Sequence, residues 1–219
     1  MISALRVLAL ALALAPSGED PRSIVRAAAR AIEGDSVARV EGRWSARVAS
    51  NPRDRLARLG LASLTRFRND TTRTRRELGA LLSERSDDLV AVYARLGLAW
   101  NGFGRQPFDT TLAVARVALD QARALGDSAA TAEALGMAGF LGSRLGSYGP
   151  ALDSLAAAER LVPANLPELR GQILCTAAQM MSLAGRPDAR AFGNRGLALA
   201  KQARDARTLT DRVVDAISM

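Results

Sequence analysis

Apolar residues recur every three to four positions along most of the chain, and the runs that carry them are separated by short clusters of Gly, Pro, Asn and Asp. That spacing is the signature of one buried face of an α-helix. No sustained alternation of Val, Ile, Thr and aromatic residues marks a strand. The pattern predicts an all-α chain. A first helix begins around Glu19-Asp20-Pro21, where acidic residues and an early Pro suit a helix start, and Gly34 ends it. A second covers residues 36–49 and stops at Asn51-Pro52. The next carries Leu56, Leu59 and Leu64, and its neighbour runs from about Thr74 through Leu78, Leu81 and Leu82. Ser86-Asp87 is the predicted N-cap of a helix over residues 88–102. A loop at 104–107 leads into a helix over 109–126. Asp127-Ser128 caps a helix carrying Leu135 and Phe140; the turn at 146–150 opens a helix that ends near Pro163. Residues 166–184 form one more helix, and Ala191, Phe192, Ala198 and Leu199 mark its partner.

Superimposed on this period is a longer one. The strings Ala57-Arg58-Leu59-Gly60-Leu61-Ala62 and Ala94-Arg95-Leu96-Gly97-Leu98-Ala99 are identical and lie 37 positions apart, and Leu135-Gly136 and Leu174-Cys175 follow at steps of 39. Four units therefore align on one leucine. A mid-helix Gly costs up to about 1 kcal/mol relative to Ala, so Gly60, Gly97 and Gly136 at one register imply close approach of a second helix. In the second helices, Ala151, Leu152 and Ala158 are matched forty positions later by Ala191, Phe192 and Ala198.

These residues resemble the tetratricopeptide repeat. Tyr93-x2-Leu96-Gly97-x2-Trp100 fits the first half of its pattern. Gly146-x-Tyr148-x2-Ala151-x3-Leu155-x2-Ala158-x4-Pro163 fits the second half, one unit later. Ser63, Gly139 and Ala178 stand where Trp100 does, Cys175 replaces the glycine, and the period exceeds the family's roughly 34 residues, which leaves a HEAT-like stack as the structural alternative. The expected fold is an α-solenoid of stacked antiparallel helix pairs: an irregular pair at 19–52, repeats at 53–87, 88–126, 127–165 and 166–204, and a terminal helix at 205–219. That last helix either caps the stack or begins a further unit of a longer protein.

The resemblance implies that the first helix of each pair lines a concave groove for an extended peptide or a helix. Carried over by register, the groove positions are Leu61, Leu64, Leu98, Asn101, Met137, Phe140, Thr176 and Gln179, two and five residues after each repeat leucine, with Glu133 and Gln172 at the edge. The leucines Leu59, Leu96, Leu135 and Leu174 would instead pack toward the second helices. A groove so lined is apolar with scattered amides. Asn101 is the one residue that matches the Lys/Asn/Arg clamp some members use on a terminal carboxylate.

Composition narrows the function. Hydrophobic residues make up 48% of the chain and aromatics 4%, which suits thin layers of Ala and Leu. The chain has no His and one Cys, so Ser-His-Asp and Cys-His catalysis are ruled out, a zinc site lacks its usual ligands, and Cys175 is a packing residue. Gly102-Phe103-Gly104 lacks the preceding strand and third Gly of a nucleotide loop. The reading is a non-enzymatic scaffold without metal or cofactor, whose partner is a protein or peptide. A net charge of +8 and the cluster Arg66, Arg68, Arg73, Arg75 and Arg76 keep RNA as a competing ligand. The excess of Arg over Lys also fits a bacterial genome rich in G and C. Residues 1–18, with Arg6 followed by an apolar run too short to span a bilayer, predict an export signal; an amphipathic first helix of a cytosolic protein is the alternative.

Overall fold

The computed structural model describes residues 19–34 and 36–202. The predicted export signal at 1–18 and most of the terminal segment, residues 205–219 included, lie outside the described residues. Among the described residues there are ten helices and no strand: α1 (Pro21–Glu33), α2 (Val37–Ser50), α3 (Arg55–Phe67), α4 (Thr71–Glu84), α5 (Leu89–Gly102), α6 (Phe108–Ala124), α7 (Ser128–Arg144), α8 (Tyr148–Leu161), α9 (Pro167–Leu183) and α10 (Ala189–Gln202). From α2 onward each packs on its neighbours in the chain, and α3, α5, α7 and α9 also touch one another in series. This is an α-solenoid. None of the described helices is long and apolar enough to cross a membrane.

The punctuation of the sequence explains the periodicity. Asp54, Asp88 and Asp127 each stand just before a first helix and accept a hydrogen bond from the amide three residues on, at 3.0, 2.9 and 2.7 Å. Such a cap satisfies a donor that the helix leaves unpaired and is worth about 1 kcal/mol. At the other end of each first helix the chain reverses through a residue with positive φ: Asn69, Gly104, Gly146 and Gly185. Gly and Asn tolerate that geometry best.

Three boundaries differ from the expectation. Helix α4 starts at Thr71, because Asp70 accepts from the Arg73 amide. The cap of α5 is Asp88, while the exposed Asp87 pairs with Arg85 instead. Tyr148 opens α8 rather than lying in the turn.

The repeated glycines have two fates. A Cβ on Gly60 would lie 2.6 Å from the Trp44 ring of α2, and one on Gly97 would lie 2.8 Å from Leu78 of α4. Each first helix thus presses on the helix before it. At Gly136 the nearest atom belongs to Ile173 of α9, at an ordinary 3.7 Å. In α7 the tight contact has moved to Gly139, whose Cβ would meet the Ala151 carbonyl at 2.9 Å. The repeat leucines are all buried. Ala151 and Ala158 are buried in α8, whereas Tyr148 and Pro163 at its ends are half-buried.

Helix α1 breaks the pattern. In the four regular pairs the two helices pack tightly, but α1 makes only slight contact with α2. It lies on α3 and touches α5. Pro21, Ile24, Ala28 and Ala31 form its buried stripe, at the spacing of one helical face. Meanwhile α2 takes the position of a second helix, with Trp44 on Gly60 as Leu78 lies on Gly97.

Candidate binding face

The face formed by the first helices carries two cavities. One, of about 70 Å³, is bounded by Val25 of α1, Ser63 and Arg66 of α3, Leu78 of α4, and Tyr93, Leu96 and Trp100 of α5, with Glu133 and Met137 of α7. The other, of about 90 Å³, lies between α5, α7 and α9 and is lined by Trp100, Glu133, Met137, Phe140, Gln172 and Thr176 among others. Each has room for no more than a few waters and falls far below the roughly 300–1,000 Å³ of a typical small-molecule site.

Trp100 stands between the two and is 36% exposed. Its ring is 5.6 Å from that of Phe140 and 6.2 Å from that of Phe103, and Phe108 lies 5.8 Å beyond Phe103. The Arg144 guanidinium sits 5.0 Å from the centre of the Phe140 ring, within the range of a cation–π contact. In a chain with so few aromatics, four are gathered where α5, α6 and α7 meet.

Of the groove positions expected from register, Met137, Phe140 and Thr176 line the second cavity. Leu61, Leu64, Leu98, Asn101 and Gln179 line neither. Leu64 is 1% exposed, and Leu61 and Leu98 pack half-buried against the core. Asn101 donates to the Thr71 carbonyl at 3.2 Å, tying α5 to the first turn of α4, and Gln179 is buried. Leu96, expected to pack toward a second helix, also reaches the first cavity beside Val25.

Glu133 holds a position more central than the edge. Its carboxylate accepts from Arg22 Nε at 2.6 Å and from the Tyr93 hydroxyl at 3.2 Å. Glu168 of α9 accepts from both Arg22, at 3.2 Å, and Arg26, at 2.9 Å. Three helices of the stack and α1 are therefore joined through one polar cluster. Burial pushes the Glu133 carboxyl above its ordinary value, and the nearby Arg22 and Arg26 offset this only in part. Burial works against the Arg22 charge too, but Glu133, with Tyr93 and Glu168, raises its pKa overall. Burial raises the Tyr93 hydroxyl strongly, with the negative charge of Glu133 adding to it.

Sequence reading missed this cluster because Arg22 and Glu133 are 111 positions apart. One local signal was present. At the position two before the repeat leucine, α3 and α5 carry Ala57 and Ala94 and α9 carries Gln172, so Glu133 is the charged exception.

The basic cluster near α4 is partly neutralised: Arg68 pairs with Glu41 at 2.6 Å and Arg73 with Glu77 at 2.6 Å. The chain matches no protein-family model, and a comparison with curated proteins finds no match.

Proposed function

We propose that the chain is a non-enzymatic interaction scaffold of the tetratricopeptide kind that holds a peptide or helix against the face of α3, α5, α7 and α9. The observation that carries this reading is the half-exposed Trp100 beside a cavity lined by Met137, Phe140, Gln172 and Thr176. Large apolar side chains with an amide and a hydroxyl nearby suit a peptide, which brings both apolar groups and main-chain polar groups. An exposed aromatic next to a pocket is also the common form of an interface anchor. The reading holds whether the chain works alone or as the interaction part of a longer signalling or protease-like protein.

RNA is the weaker alternative. Much of the arginine charge is spent on carboxylates of the same chain.

The test is selection from a random peptide library followed by tryptophan fluorescence. Trp44 is fully buried and Trp100 is not, so a peptide on this face changes the emission and quenching of Trp100 alone. Trp100→Ala, which removes that reporter, is expected to weaken a selected peptide at least tenfold by the fluorescence anisotropy of a labelled copy of the peptide, while the helical circular dichroism is kept. Failure to select any peptide, or peptides indifferent to Trp100→Ala, refutes the assignment. Binding of single-stranded RNA that weakens steeply with salt would replace it.

A further inference from the structure

We infer that the surface beneath α1 is a receptor site for an amphipathic helix bearing two arginines four residues apart, and that α1 is a resident stand-in which such a helix displaces. The inference rests on the scaffold reading and specifies its ligand.

Three features carry it. First, α1 sits on the stack as a ligand would. It packs chiefly on α3, with slighter contacts to α2 and α5, instead of pairing closely with the next helix as the regular units do. Second, its apolar face is built from short side chains: Pro21, Ile24, Ala28 and Ala31 are buried and Val25, Ala27 and Ile32 are half-buried against the core, without an aromatic or leucine among them. Its long polar contacts to α7 and α9 come from charge. Third, the stack presents a receptor for that charge. Glu133 from α7 and Glu168 from α9 converge on Arg22, and one oxygen of Glu168 serves Arg22 and Arg26 together. Residues four apart lie on one helical face, so the carboxylates read an arginine pair with helical spacing. A half-buried carboxylate is costly unless a cation meets it, and the alanines at the equivalent places in α3 and α5 show that the repeat itself does not call for one. Arg is preferred over Lys because its fork can serve two carboxylates at once.

A labelled peptide with the sequence of residues 21–33 and blocked termini tests this on the full chain. It is added to the unaltered protein and to the variant Arg22→Ala with Arg26→Ala, in which the resident helix is weakened. At least tenfold tighter capture by the variant is expected. Loss of capture is expected when both arginines of the peptide are alanine, or when Glu133→Gln and Glu168→Gln are added to the variant. A variant that melts cooperatively yet captures no peptide, or captures both peptides equally, overturns the inference.

Should the variant not fold, hydrogen exchange of the unaltered protein decides. Saturating peptide must speed exchange of the α1 amides while α3 to α10 stay protected; unchanged α1 exchange overturns the inference. If peptides selected on the Trp100 cavity bind but the residue 21–33 peptide never does, the scaffold reading survives and this one falls. If neither binds, both fall.

Discussion

The contact of α1 with α7 and α9 and the contact between α9 and α10 are built on opposite principles. Between α9 and α10 the backbones meet because side chains are missing: a Cβ on Gly196 would lie 2.7 Å from Cys175 Sγ and 2.9 Å from the Gly171 carbonyl, and one on Gly171 would meet the Gly196 carbonyl at 2.9 Å. Between α1 and the helices α7 and α9 long side chains do the joining, through Arg22 and Arg26 on Glu133 and Glu168. Close packing of backbones is a shape that only one pairing satisfies. Ion pairs at the ends of flexible stems are specific in charge and tolerant in position. The first kind of contact fixes an architecture, and the second suits a surface whose occupant changes.

The largest effect is expected where the backbone contact is broken. In an ordinary helix Gly→Ala gains up to about 1 kcal/mol. At Gly196 the added methyl meets a carbonyl and an amide of the facing helix as well as a sulfur, and backbone cannot rotate away. Gly196→Ala should therefore destabilise the protein by about 2–3 kcal/mol, read as a lower midpoint in urea. A midpoint at or above that of the parent would show that α10 is loosely held and would remove the contrast.

Arg22→Ala should cost less, about 1–2 kcal/mol, because the pair is partly exposed, and the loss should be local. Hydrogen exchange is expected to rise across α1 while α5, α7 and α9 keep their protection. Release of α1 would admit water to Glu133 and return its carboxyl toward the ordinary range. Exchange rising equally through all helices would mean that α1 is a structural member of the stack rather than a guest on it.

How far the sequence foretold this division is instructive. Helical period, aspartate caps and the glycines and asparagine at the turns are local features, so the stack of helices was legible, with boundaries off by at most a few residues at α4 and α5. The face that the helices turn inward was legible only in part. Each residue turns a helix by about 100°, so the rotation of each helix about its own axis decides which register faces the cavities. That rotation is set by tertiary contacts such as Gly97 on Leu78. In α7 the expected Met137 and Phe140 line a cavity; in α5 it is Tyr93, Leu96 and Trp100. The ion pairs that tie α1 to α7 and α9 were not legible at all, because their partners lie more than a hundred positions away.

The smallest expected effects sharpen the same comparison inside one register. Gly60, Gly97 and Gly136 are equivalent in sequence, yet a methyl would meet a fully buried, rigid Trp44 ring at Gly60, a single Leu78 methyl at Gly97, and open van der Waals contact with Ile173 at Gly136. Leu78 has rotamers to use and Trp44 has little room to shift. Gly60→Ala is accordingly expected to cost about 1–2 kcal/mol and Gly97→Ala to be near neutral. At Gly136 no such clash offsets the backbone entropy, so Gly136→Ala should stabilise by about 0.5–1 kcal/mol. Urea unfolding of the three single variants gives the order directly. A uniform loss at all three would mean that α7 is gripped as tightly as α3 and that the register, not the local neighbour, governs the contact.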